Sequence, residues 1–333
     1  MRWCDAFVAN LIATLPYSTA GAFLSRRVTA PVSPFRCDGI RNDGLPPLAA
    51  ESSQAEEAPS IVKSYDLKMD FALPPSAWPF DESSDMVRDD ESDDSEFYGE
   101  PKLVKHVDEW AILSLTAFYR EELSGLHRVK AAVGGRGTEE PAAATKVDVL
   151  DLCSSWVSHL PPEPGFPLGA VAGMGMNPEE LAANAQLTAG YYVQDLNKDP
   201  LLDRFNDESF DAVTNALSVD YLTRPREVFR EMHRVLRPGG SALISFSNRY
   251  FKKKAVSSWL QTDERGRMDI VASYFYHSAD WESIEALDIK LKPSPSTIGD
   301  FVQNQSIFRW FAMAIFRGTW ATDPIYVVKA TKK

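Results

Sequence analysis

The chain has 333 residues, of which 44% are hydrophobic and 25% charged. That balance excludes a largely disordered chain, a collagen-like chain and a multi-span membrane protein. The net charge is −12, but residues 81–100 alone hold ten acids and one base, Arg88, for a net −9, so the rest of the chain carries only −3. No basic excess is left to release counterions from a nucleic-acid backbone, and no nucleic-acid partner is expected. The three cysteines (Cys4, Cys37, Cys153) and five scattered histidines form no HxH or HxxxH pair and no paired-cysteine framework, so neither a metal site nor internal disulfides are expected.

Residues 6–37 contain no Asp or Glu but include Arg26, Arg27 and Arg36. An apolar run, Ala6–Pro16, precedes small residues at 18–22; it is shorter than the ~20 residues of a membrane-spanning helix, so no integral membrane segment is expected. The order apolar run, Ala20-Gly21-Ala22-Phe23, acid-poor segment resembles the two-part plastid presequence of algae with additional plastid membranes. A targeting presequence is therefore expected over 1–40, leading to a plastid, with a mitochondrial or simple chloroplast transit peptide as the alternative. Residues 41–96 are rich in Pro, Ser, Asp and Glu and read as a disordered acidic linker, self-repelling and poor in apolar anchors. The folded body is expected from Phe97 to the end.

Within the body, residues 105–123 place Val107, Trp110, Ala111, Leu115, Phe118 and Tyr119 at helical spacing. A glycine-rich break follows at 134–137. Strands are expected at 147–152 (VDVLDL), 169–174 (GAVAGM), 191–194, 210–219 (FDAVTNALSV), 241–246 (SALISF) and 325–330 (IYVVKA). Helices are expected from Asn177, as a cap followed by Pro178 and two acids, and over 225–236, ended by Pro238-Gly239-Gly240. Strands alternating with helices imply a parallel sheet covered on both faces, with ligands bound beyond the carboxyl ends of its strands.

The segment from Asp207 to Asn248, with its strand opening on Phe210-Asp211, its helix and its Leu236-Arg237-Pro238-Gly239-Gly240 turn into a strand, resembles class I S-adenosylmethionine-dependent methyltransferases of the type 11 kind. The resemblance covers residues 147–248, taken as the cofactor core. It implies an α/β fold: a doubly wound, mostly parallel Rossmann-like sheet with helices on both faces and an antiparallel last strand. It also implies S-adenosyl-L-methionine as cofactor and a small-molecule methyl acceptor as partner; the sequence carries no signal for an oligomeric state. Where that family has a glycine loop, this chain reads Asp151-Leu152-Cys153-Ser154-Ser155-Trp156-Val157-Ser158-His159. The acid is kept and all three glycines are replaced, a pattern similar to a subgroup with Ser-Ser-Trp-x-Ser-His-Leu-Pro at this place.

By that resemblance Asp151, Cys153, Ser154 and Ser155 face the methionine end of the cofactor, with the two serine hydroxyls compensating for the lost glycines. Gly175 takes the place of the acid that binds the ribose, Asn177 reaches a ribose hydroxyl, and Met174 or Met176 packs on the adenine. Asp195 accepts from the adenine amino group while the Leu196 amide bonds the ring, and Asn215 lies near the transferred methyl. No catalytic base is identified; His159, Asp220 and Tyr221 are the candidates. Structural readings stand beside these. Cys153 is expected to be a buried filler rather than a reactive thiol, and Lys252-Lys253-Lys254 a solvated face. Tyr274, Phe275, Tyr276 and Trp281 are expected in the core, and the apolar stretch 301–320 as a helix on the body. The alternative to a methyltransferase is a catalytically inactive relative serving as a binding or assembly protein.

Overall fold

The computed structural model describes residues 61–65, 73–134, 146–162, 166–290 and 322–333. The presequence reading over 1–40, the glycine-rich break after Gly134 and the stretch 301–320 lie outside the described residues. Among the described residues, eight strands form one sheet: β1 (Ile61–Tyr65), β2 (Val147–Leu152), β3 (Leu168–Gly175), β4 (Tyr191–Val193), β5 (Phe210–Ala216), β6 (Leu236–Phe246), β7 (Trp281–Ile289) and β8 (Ile325–Lys332). Their order is β1-β7-β8-β6-β5-β2-β3-β4. Strands β2 to β6 pair in parallel, while β8 runs antiparallel to both β6 and β7. This is the doubly wound, mostly parallel sheet with an antiparallel last strand that the motif order implied, extended by β1 pairing antiparallel to β7.

Side-chain alternation explains why both faces are covered. Along β2, Val147 and Val149 point into one core with Val171, Ala212, Leu243 and Val327, over which α2 (Glu109–Gly134) lays Ala111, Leu115, Phe118 and Leu123. Leu150 and Leu152 point into the other core with Met174, Val213 and Ile244. There α4 (Pro225–Val235) and α5 (Glu264–Tyr276) supply Val228, Phe229, Met232, Val271, Tyr274 and Phe275. Tyr274 and Phe275 are thus core residues, and Trp281 packs edge-on against Phe275 with ring centroids 5.0 Å apart. The cap expected at α3 (Pro178–Ala183) is formed: Asn177 Oδ1 accepts from the amides of Glu179 and Glu180 at 2.9 and 3.0 Å.

Two expectations are corrected. Residues 73–96, read as part of an unfolded linker, pack onto the body, so the folded region begins well before Phe97. Met86 is buried in the core, Arg88 bridges to Val256, and a short helix, α1 (Asp94–Phe97), is capped by Asp93. Arg88 within the segment and two lysines distant in sequence offset the repulsion among the acids. Asp94, 5% exposed, accepts from Arg88 at 2.8 Å and from Lys254 at 3.1 Å, and Asp93 pairs with Lys198 at 2.6 Å. The lysine run is corrected by the same contact: Lys252 and Lys253 are exposed, but Lys254 is fully buried, donating to the Ser92 carbonyl at 2.9 Å.

Candidate functional site

Strand order places the site. The chain leaves β2 toward β3 and β4 on one side and returns through β5 and β6 on the other, so the carboxyl ends diverge between β2 and β5 and leave a crevice. A cleft of about 510 Å³ opens there, within the range of small-molecule sites. Its floor and walls come from the residues following β2, β3, β4, β5 and β6, among them Cys153, Met176, Asp195, Ser218 and Asn248. A further wall comes from the strap that runs from Asp94 to His106.

The loop after β2 keeps the backbone path of a glycine loop without its glycines. Cys153 stands at φ 53°, in the left-handed region that glycine adopts freely and other residues at a cost of roughly 1 kcal/mol or more. His159 closes the same loop at φ 55°. The serines fasten the loop rather than offer hydroxyls to a ligand. Ser155 Oγ donates to Glu180 Oε2 at 2.5 Å, and Asn184 Nδ2 donates to the Ser155 carbonyl and to Ser158 Oγ, both at 2.9 Å. Ser154 differs: its Oγ is buried on the Asp151 side of the loop, with no hydrogen bond of ordinary geometry. Cys153 is partly exposed at the cleft, and desolvation pushes its thiol up to about 12, with Asp151, Asp220 and Asp195 nearby adding to the effect, so it is protonated at neutral pH.

Asp151, at the end of β2, is 2% exposed and borders the cleft. Burial raises its carboxyl to about 6, against the stabilising hydroxyls of Ser154, Ser158 and Thr214; Thr214 Oγ1 donates to Oδ1 at 2.8 Å. Gly175 offers nothing to a ribose: a Cβ there would stand 2.1 Å from the Ser154 carbonyl oxygen, so the loop itself requires glycine. Asn177 lines the cleft but has no polar atom to spare. Its Oδ1 caps α3, and its Nδ2 donates to the carbonyls of Tyr98 and Gly99 at 2.8 and 3.0 Å.

The turn after β4 is different. Asp195 lines the cleft; its Oδ1 takes the Asn197 amide at 2.9 Å, and Lys198 stands 3.8 Å from its Oδ2. Beside it the Leu196 N–H meets no backbone or side-chain acceptor among the described residues. A carboxylate and an unpaired amide next to each other form an acceptor–donor pair that matches the amino group and ring nitrogen of an adenine.

The remaining candidates divide. His159 and Tyr221 line the cleft; Asp220 and Asn215 do not. Asn215 is fully buried on β5 with neither amide atom hydrogen-bonded, and Asp220 is 3% exposed with Oδ2 unpartnered and its carboxyl raised by burial to about 7. The Tyr221 hydroxyl accepts from the Phe251 amide at 2.9 Å, and burial drives its ionisation far above the ordinary range. Burial, with Lys105 and His106, depresses His159 to about 4, so its imidazole is neutral, with Nδ1 unpaired.

The strap was missed by sequence reasoning. It is tied to the elements after β3, β4 and β6: the Lys102 amide donates to Glu180 Oε1 at 2.7 Å, Asn197 Nδ2 donates to Asp94 Oδ2 at 3.0 Å, and Lys254 reaches Asp94. The visible signal was Phe97-Tyr98, an aromatic pair ending the acidic run; Phe97 packs on Phe251 and under Lys102 Nζ.

Residues 156–244 match a family model described as a methyltransferase domain. The match begins inside the loop after β2 and ends in β6, so the Asp151 and Cys153 assignments stand just ahead of it. Among curated proteins, a malonyl-[acyl-carrier protein] O-methyltransferase of Marinomonas sp. (strain MWYL1) is 27% identical over 121 residues, 36% of this chain and 39% of that protein. Solved structures similar to the chain include an S-adenosylmethionine-dependent methyltransferase from Mesorhizobium loti, 15% identical, covering 56% of this chain and 91% of that one at a TM-score of 0.33. Another is phosphoethanolamine N-methyltransferase 2 of Haemonchus contortus, in complex with phosphomonomethylethanolamine and S-adenosylhomocysteine. It is 14% identical, covering 70% of this chain and 61% of that one, also at 0.33.

The domain's residues fit an adenosyl sulfonium at two of three places. The acceptor–donor pair at Asp195 and Leu196 suits the adenine, and the left-handed turn at Cys153 beside Asp151 leaves the methionine end a backbone to approach. At the end of β3 the expected acid is absent and Gly175 is closed off by the Ser154 carbonyl.

Proposed function

We propose that the methyltransferase domain binds S-adenosyl-L-methionine in the cleft and transfers its methyl group to a small-molecule acceptor entering beside the strap. The observation that carries this reading is the free Leu196 amide beside the Asp195 carboxylate at the carboxyl end of β4, in the cleft that Asp151 and Cys153 also border. The cofactor, when bound, supplies an electrophilic methyl. Everything else is orientation. Asp195 and Leu196 hold the adenine, and Asp151, Cys153 and Ser154 hold the amino-acid end. The strap and Trp156, whose Nε1 donates to the Val104 carbonyl at 3.2 Å, keep water from the acceptor. His159 is the proton acceptor within the cleft. A base this weak suits an acceptor that sheds its proton late, after the new bond to carbon has formed. The leader reading adds a plastid as the place of action.

The second reading, an inactive relative acting as a binding or assembly protein, rests on the same closed position at Gly175. Titration calorimetry of the full chain with S-adenosylhomocysteine separates the two. A saturable heat that Asp195→Ala weakens at least tenfold supports the methyltransferase; no heat and no thermal shift at millimolar ligand selects the inactive relative.

A further inference from the structure

The closure of Gly175 leaves a question of chemistry. A ribose carries two neighbouring hydroxyls, and a buried pair of donors without acceptors is costly. The strand end that would place a carboxylate under them admits no side chain, because the Ser154 carbonyl oxygen occupies the Cβ position. Asn177 is fully committed to the Glu179, Glu180, Tyr98 and Gly99 backbone.

One turn further along, Glu180 lines the cleft, half-buried on α3. Each of its carboxylate oxygens takes one protein donor: Ser155 Oγ at 2.5 Å on Oε2 and the Lys102 amide at 2.7 Å on Oε1. A carboxylate accepts about four hydrogen bonds, so each oxygen keeps capacity for one more. Those two bonds also fix the side chain between the loop after β2 and the strap, which is the preorganisation a recognition carboxylate needs.

We propose that Glu180 is the ribose-recognition carboxylate of this domain, moved from the strand end to the first turn of α3, where the Ser154 crossing does not reach. This rests on the cofactor reading above and names the residue that completes it. It also accounts for the serine at 155. Where a glycine would leave Glu180 free to turn away, the Ser155 hydroxyl holds it facing the cleft.

The test is calorimetry on the full chain with S-adenosylhomocysteine and its 2′-deoxy and 3′-deoxy analogues, using wild type and Glu180→Gln. Charge-assisted bonds to two hydroxyls predict that Glu180→Gln weakens S-adenosylhomocysteine about 10- to 100-fold. They also predict that at least one deoxy analogue, penalised in wild type, binds Glu180→Gln as well as the parent ligand does. This loss of the penalty is read within each folded protein, so a merely structural role for Glu180 does not produce it. If Glu180→Gln does not fold, Glu180→Asp carries the same comparison. Wild-type binding with the deoxy penalty unchanged in the variant overturns the Glu180 assignment alone. No binding by wild type overturns the cofactor reading and the assignment with it.

Discussion

Replacing Asp151 by Asn should make the ligand-free protein more stable at neutral pH, and the gain should depend on pH in a specific way. Asp151 is 2% exposed, and burial raises its carboxyl from 3.8 to about 6. The folded protein therefore holds this proton more tightly than the unfolded chain does. The associated stability is fully present below pH 3.8 and is lost as pH rises through about 6. The two values lie about two pH units apart at about 1.4 kcal/mol each, so ionised Asp151 lowers stability by roughly 3 kcal/mol above pH 7. Asn has the same shape, keeps an oxygen for Thr214 Oγ1 and carries no charge. Urea denaturation of both proteins at pH 4 and pH 8 should show the variant's stability relative to wild type improving by about 2 to 3 kcal/mol across that interval, whatever the offset at pH 4. The variant should at the same time bind S-adenosylhomocysteine more weakly, the usual exchange of function for stability at a site. A relative stability that stays flat from pH 4 to pH 8 would refute the reasoning, because it would mean that Asp151 ionises in the folded state as easily as in water.

Three further outcomes are expected. Asp94→Ala leaves Arg88 and the fully buried Lys254 without their shared carboxylate and should lower unfolding stability by about 3 to 5 kcal/mol in urea; a loss below about 1 kcal/mol contradicts the strap's role. Burial opposes the Asp94 charge, but bonds from Arg88, Asn197 and Lys254 outweigh it and hold its carboxyl below 3.8, so this contribution is present above about pH 4 and fades only in stronger acid. In a variant lacking Cys4 and Cys37, Cys153 should react with thiol reagents at pH 8 far more slowly in the native protein than in the unfolded chain, and equal rates would show that its thiol ionises as easily as a free one. Residues 1–40 fused to a fluorescent protein should enter the plastid of an alga with additional plastid membranes and be held outside when Phe23 is changed to Ala; mitochondrial fluorescence would favour the alternative leader reading.

Much of the sheet was legible because its signals are local. The strand at 147–152 is a short apolar run, Asn177-Pro178 is a complete helix start, and the sequence from Phe210 to Phe246 spells strand, helix, turn and strand in order. The boundary at 236 shifted because Leu236 already pairs with Phe210, with Gly239 at φ 78° letting the strand run through the turn expected to precede it. Strand β7 was not read at all: Trp281–Ile289 alternates poorly, with Glu282 and Glu285 exposed and Ala286 and Leu287 buried in succession.

The strap was illegible for a different reason. A count of charges in residues 81–100 shows repulsion, whereas the neutralising partners Lys198 and Lys254 stand about a hundred or more residues away. In the same way, the hydroxyl of Ser155 looked like a donor for a ligand until the fold brought Glu180 against it. Side-chain chemistry at a site can be read from sequence; which of its bonds the protein keeps for itself cannot.

The central claim is that the cleft beyond β2 and β4 receives an adenosyl sulfonium despite the loss of its glycines. A crystal structure of the full chain grown with S-adenosylhomocysteine tests it most directly. The account predicts the adenine against Asp195 and the Leu196 amide, with the amino-acid end beside Asp151 and Cys153. Ligand bound elsewhere, or a cleft filled by Trp156 and Met176 with no ligand at millimolar concentration, would contradict it.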